Sequence, residues 1–158
     1  MSTRAARVGC LALGAAWTLP NTLLGLTAGL AGVAFGAKWY WSRRELAVVF
    51  NAMPWGPGGA LTLGNVILHT GDSLETSCVT YAHRAGRTEA PIILADHERA
   101  HVFQYMALGP LFLPLYLICG GIRASNRFEY SADRYAHSGR GWWPWSRDEP
   151  LYRGRPNH

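Results

Sequence analysis

The chain opens with hydrophobic positions in an unbroken block. Val8 to Ala37 is 30 residues long and uncharged, bounded by Arg7 and Lys38. About 20 apolar residues suffice to cross a bilayer as a helix, so the length permits a span. Pro20-Asn21 divides it into halves of 12 and 16 residues, each short for a full crossing. A kinked span, a re-entrant hairpin and two buried helices all fit. Gly25-x-x-x-Gly29 and Gly32-x-x-x-Gly36 are spacings that let helices approach closely in lipid. Trp39, Tyr40 and Trp41 suit an aromatic belt at a membrane interface. The block is too long for a cleaved signal peptide, and its central Pro-Asn is out of place there.

The period then changes. Glu45 to Phe50 is a short run rich in β-branched residues, Met53 to Gly59 is loop chemistry dense in Gly and Pro, and Ala60 to Thr70 alternates as a strand with Gly64 as a bulge. Cys78 to His83 reads as a third strand, and the three form a small antiparallel sheet. From Thr88 the pattern is helical. Thr88 caps, Pro91 fits the first turn, and Ile92 to Leu108 runs without a breaker until Gly109-Pro110. Residues 105–122 are uncharged and interrupted by Pro110 and Pro114, and Asn126 to Ala136 reads as another helix. The expected architecture is α+β. An apolar N-terminal segment spans 1–44, the domain carrying the chemistry 45–138, and a Trp/Arg/Pro-rich tail 139–158.

Composition narrows the function. Hydrophobic residues make up 49% and charged residues 16%, against about 25% charged in soluble domains, which excludes a disordered chain or a coiled coil. The net charge is +5, yet Lys38 is the sole lysine and no nucleic-acid-binding motif is visible, so no nucleic-acid partner is expected. Three widely spaced cysteines, Cys10, Cys78 and Cys119, make neither a disulfide framework nor a zinc ribbon.

Within the helical region stands His97-Glu98-Arg99-Ala100-His101, an H-E-x-x-H sequence. Residues i and i+4 share a helix face, so two imidazoles converge on one ion. Zinc takes His nitrogens at about 2.0–2.1 Å, and a catalytic zinc site keeps one position open. Glu98 is rotated around the helix from His97, which suits a general base acting on water rather than a ligand. With six His in 158 residues and as many Glu, chance supplies about 0.01 such matches. On the next helix Glu129-Tyr-Ser-Ala-Asp133 places two acids on one face. Glu129 completes a His₂Glu set, and Asp133 can orient a ligand imidazole through its free ring nitrogen. Gln104 shares the face of His97 and His101 and lines the site or bonds the connecting segment. Tyr130, Tyr135 and His83 are candidate donors to a developing oxyanion.

H-E-x-x-H followed by E-x-x-x-D resembles the gluzincin class of zinc metallopeptidases. Phe128-Glu129-Tyr-Ser-Ala-Asp133-Arg-Tyr-Ala136 is similar to the glutamate-helix motif, E-x-x-A-D-x-x-A, of membrane metallopeptidases of the HtpX and CaaX-prenyl-protease type. The resemblance runs from Ala90 to Ala136. It implies a zincin-like pair of helices, zinc held by His97, His101 and Glu129, Glu98 as base, Asp133 behind the ligands, and a peptide or protein substrate. Together with the apolar segment it places the expected protein at the cytoplasmic membrane. The alternative is a non-catalytic structural or interaction subunit that keeps the same scaffold.

Overall fold

The computed structural model describes residues 3–86 and 88–146. It is an α+β fold with a four-stranded mixed sheet and a separate two-stranded ribbon. Helix α1 (Thr3–Trp17) and α2 (Leu19–Val33) come first, followed by strands β1 (Lys38–Ser42), β2 (Ala47–Asn51), β3 (Ala60–Leu63), β4 (Val66–His69) and β5 (Ser77–Cys78). Then come α3 (Tyr81–Arg84), β6 (Ile92–Ile93), α4 (Leu94–Leu108), a 3₁₀ turn at Gly109–Leu111, α5 (Phe112–Ile118) and α6 (Arg127–Ser138).

The expected antiparallel sheet is instead mixed. Ala60 to Thr70 is two strands rather than one bulged strand. Gly64, at φ +63, and Asn65 form the two-residue turn of a tight hairpin, with Leu63 paired to Val66. Two hairpins, β1–β2 and β3–β4, therefore lie side by side in the order β1-β2-β4-β3. The second strand of each is adjacent to the other, so β2 and β4 run parallel. The third strand expected at Cys78 to His83 is also revised. Only Ser77–Cys78 pairs as a strand, and Thr80 caps the short α3 by accepting from the His83 amide at 3.0 Å.

The central strands are covered on both faces, as their near-continuous apolar sequence demands. Period-2 alternation sends Val49 and Ile67 toward α4, where they pack with Ala95 and Val102. It sends Phe50, Val66 and Leu68 toward α2. Helix α4 lies between the sheet and α6, which is why polar residues on several of its sides are buried. It starts at Leu94, later than a Thr88 cap predicts. Its first amides, of Leu94 and Ala95, are taken by the carbonyls of Thr76 and Leu74 at 3.0 Å, so no side-chain cap is needed. Asn126 caps α6 by accepting from the Phe128 amide at 3.0 Å, and Gly139 ends it in the left-handed conformation.

Gly25 and Gly29 of α2 face the protein's own sheet rather than another helix. A Cβ on Gly29 would lie 2.3 Å from the Phe50 ring and one on Gly25 2.7 Å from Val66, whereas Gly9 in α1 has open space around it. Gly29→Ala is therefore expected to lower folding stability by about 1 kcal/mol or more, because overpacking outweighs the helix-propensity gain. Gly9→Ala is expected to raise it by about 0.5–1 kcal/mol. Thermal or urea denaturation of the two variants checks the contrast, and a stabilised Gly29→Ala contradicts the packing.

Between residues 139 and 146 the tail folds back onto α6 and α4. Trp142 packs on Phe103 and Trp145 on Phe128, while Arg134 donates to the carbonyls of Gly141 and Trp143 and to Ser146. The rest of the tail, 147–158, lies outside the described residues.

Candidate metal centre

Helix geometry brings His97 and His101 to one face of α4, and α6 crosses that face with Glu129 and Asp133. Glu129 Oε2 lies 3.1 Å from His97 Nε2 and 3.3 Å from His101 Nε2. The two Nε2 atoms are 3.2 Å apart. All three side chains are buried. They are the one group of at least three His, Cys, Asp or Glu side chains with converging ligand atoms among the described residues.

The far side of each ring fixes its tautomer. His97 Nδ1 lies 2.8 Å from Asp133 Oδ1. His101 Nδ1 lies 2.8 Å from Gln104 Oε1, and the Gln104 amide nitrogen donates to Ser131 Oγ at 2.9 Å and to the carbonyls of Trp142 and Phe128. That arrangement identifies Oε1 as the atom facing His101. Both Nδ1 atoms therefore donate, leaving two Nε2 lone pairs and a carboxylate oxygen turned toward one another. Three acceptors at such separations require positive charge between them, either protons or a cation. A tetrahedral cation with bonds of about 2.0–2.1 Å holds its ligand atoms about 3.3–3.4 Å apart, close to the edges of this triangle. The donor set therefore fits zinc.

Electrostatics agree. Burial opposes the charged form of His97, but hydrogen bonds to Asp133 and Glu129 outweigh it and raise its pKa well above the usual histidine value. For His101 burial is likewise outweighed, here by the charge of Glu129 and its hydrogen bond. Burial pushes Glu129 upward, yet the neighbouring His101 and His97 hold its carboxyl far below the ordinary range.

Glu98 is buried at 4% exposure and accepts from the Thr62 hydroxyl at 2.6 Å. It stands in the wall of a cleft of about 170 Å³ that the two histidines and Glu129 also line. Edge strand β3 and the Pro57–Gly59 loop form another wall, and Tyr81 and Tyr116 face the same space. Asp133 bridges the site to α3, its Oδ2 accepting from the Tyr81 amide at 2.8 Å.

The structure thus brings together His97, Glu98, His101, Gln104, Glu129 and Asp133. It does not bring in the proposed oxyanion donors. Tyr130 has a buried hydroxyl without a partner, Tyr135 packs in the Ala100/Ala132 cluster, and neither they nor His83 line the cleft. Three residues that do line it are not foreseen from the sequence. Thr62 is the polar position of an alternating strand and so was legible in principle. Tyr116, whose hydroxyl donates to Glu129 Oε1, sits between apolar residues with no spacing that marks it. Tyr81 lies in a segment expected to be extended. Burial, and then the charge of Glu129, raise both tyrosine pKa values, so both hydroxyls stay protonated. Comparison with protein families, curated proteins and solved structures finds no match for this chain.

Proposed function

We propose that the protein is a zinc-dependent metallopeptidase-like hydrolase, with its two site helices, α4 and α6, paired as in zincins. The observation that carries this reading is the His97–His101–Glu129 triangle, which opens on a cleft that also holds the Glu98 carboxylate. His97, His101 and Glu129 hold the ion. When bound, zinc supplies Lewis-acid charge that polarises a scissile carbonyl and makes water acidic.

The chain's own residues do the rest. Glu98 accepts a proton from the attacking water at its carboxylate and delivers it to the leaving amine. Thr62 holds that carboxylate in place from β3. Strand β3 is the outer strand of its sheet, and an extended peptide added there gains main-chain hydrogen bonds while crossing the cleft. The Tyr81 hydroxyl is a proton donor available to charge developing on the carbonyl oxygen. Tyr116 spends its proton on Glu129, which it orients.

The test is zinc content and turnover together. The purified chain is expected to bind one zinc ion and to cleave members of a broad library of quenched fluorescent peptides. A zinc-loaded chain with no turnover across the library contradicts the hydrolase reading and favours a non-catalytic scaffold.

The same electrostatics predict a pH dependence. The raised pKa values of His97 and His101 stabilise the metal-free fold fully below the unfolded histidine value of about 6.5, and that contribution is lost as pH rises through the folded values. The lowered pKa of Glu129 acts in the opposite sense and is lost only in acid. A cation must displace the histidine protons, so it binds better as pH rises. The zinc-induced increase in melting temperature is expected to grow from about pH 6 to about pH 8. An increase that shrinks over that range contradicts the assignment.

A further inference from the structure

We propose that α1, α2 and β1 form a docking surface for a lipid bilayer, and that the occupant of the exposed apolar face of α2 is the hydrocarbon of one leaflet. This inference does not depend on the metal site.

Helix α2 turns one side inward, Gly25 and Gly29 against the sheet and Gly32 against Met53. Its other side carries Leu23 and Leu30, 54% and 61% exposed, with Leu19 and Leu24 beside them, and among the described residues none buries them. No charge interrupts 8–37. Exposed apolar surface of this extent marks an interaction site rather than ordinary solvent-facing surface.

Two observations select lipid over a protein partner. First, the polar side chains of α2 spend their donors inside the protein. Thr27 Oγ1, exposed on the outward face, donates to the Leu23 carbonyl at 2.9 Å. Thr22 Oγ1 donates to the Thr18 carbonyl, and Asn21 Nδ2 to the Gly109 carbonyl at 3.0 Å. The exposed Thr27 hydroxyl is thus already satisfied within the helix, as a medium that cannot accept its proton requires. Second, the helix leads directly into β1, whose Lys38, Trp39, Tyr40 and Trp41 are all exposed, with exposed Arg43 following. Amphipathic aromatic rings and cations at the end of an apolar helix match the headgroup level of an anionic bilayer.

Length sets the mode. Each helix has 15 residues, about 22 Å at 1.5 Å per residue, against a hydrocarbon core of about 30 Å. The segments Val8–Trp17 and Leu19–Val33 meet at a bend of 68°. The elbow therefore lies in one leaflet instead of crossing. In its crook is an apolar cavity lined by Leu11 and Ala15 of α1, Leu19 of α2, Trp41 and Met106, which acyl chains fill.

The experiment is flotation of the full chain with vesicles of phosphatidylcholine alone or mixed with phosphatidylglycerol. Wild type is expected to float with both, and more strongly with the anionic mixture. The doubly substituted Leu23→Glu/Leu30→Glu chain, altered only on the outward face, is expected to lose at least tenfold in partitioning with an unchanged melting temperature. Lys38→Glu/Arg43→Glu is expected to lose only the preference for the anionic vesicles. Wild type that stays in the vesicle-free fraction overturns the proposal. So does a defined dimer that persists with vesicles and is broken by Leu23→Glu/Leu30→Glu, since a second copy would then be the occupant.

Discussion

Replacing His97 and His101 together by Ala is expected to abolish zinc binding, with affinity falling more than about 100-fold, the upper end of what loss of a supporting outer residue causes. The two rings supply two of the three converging ligand atoms. Each ring is aimed by its own acceptor, Asp133 for His97 and Gln104 for His101, and with both rings gone Glu129 alone remains of the converging group. Because the alanines also remove buried volume, Glu129→Gln serves as the companion variant. It keeps the shape of the third ligand and an oxygen for the Tyr116 hydroxyl, and it removes the charge. Isothermal titration of zinc into each chain, with circular dichroism as the check on folding, reads the outcome. Folded double-alanine protein that binds zinc like wild type contradicts the site.

Glu98→Gln is expected to leave zinc binding intact and to lower turnover by about 10²–10⁴-fold, the range for loss of a positioned general base. The amide keeps the volume of Glu98 and can still accept from Thr62, but it cannot take up a proton. The signature is the split between the two measurements. Loss of both together would make Glu98 a structural or ligand residue, and retention of both would remove it from the chemistry.

Much of the candidate site was legible because it is local. Helical spacing alone aligns His97 with His101 and Glu129 with Asp133, and the two pairs need only one helix crossing to meet. The Asp133 and Gln104 contacts follow from the same periodicity. The sheet was less legible, because Gly64 is equally at home in a bulge and in a tight turn. Only tertiary pairing, with a Gly64 Cβ excluded by Thr22 at 2.3 Å, decides for the hairpin and hence for the parallel β2–β4 contact. The α4 start was displaced for a similar reason: carbonyls of residues 74 and 76 supply the cap that Thr88 offered in the sequence. Tyr81 and Tyr116 were invisible since they stand on α3 and α5, helices of four and seven residues, too short for a helical period to show. The Gly25-x-x-x-Gly29 spacing does mark a close approach, but to Val66 and Phe50 of the sheet rather than to a helix, and in the second spacing Gly32 meets Met53 while Gly36 has open space around it.

The proposed function requires two imidazoles and one carboxylate to hold a catalytic cation. X-ray absorption at the zinc edge of the zinc-loaded chain tests it most directly. The expected spectrum has a low-coordinate shell with two imidazole nitrogens at about 2.0–2.1 Å and oxygen donors completing it, and it loses one oxygen contribution in Glu129→Ala. A sulfur contribution, a shell of six oxygens, or a spectrum unchanged by that substitution would contradict it.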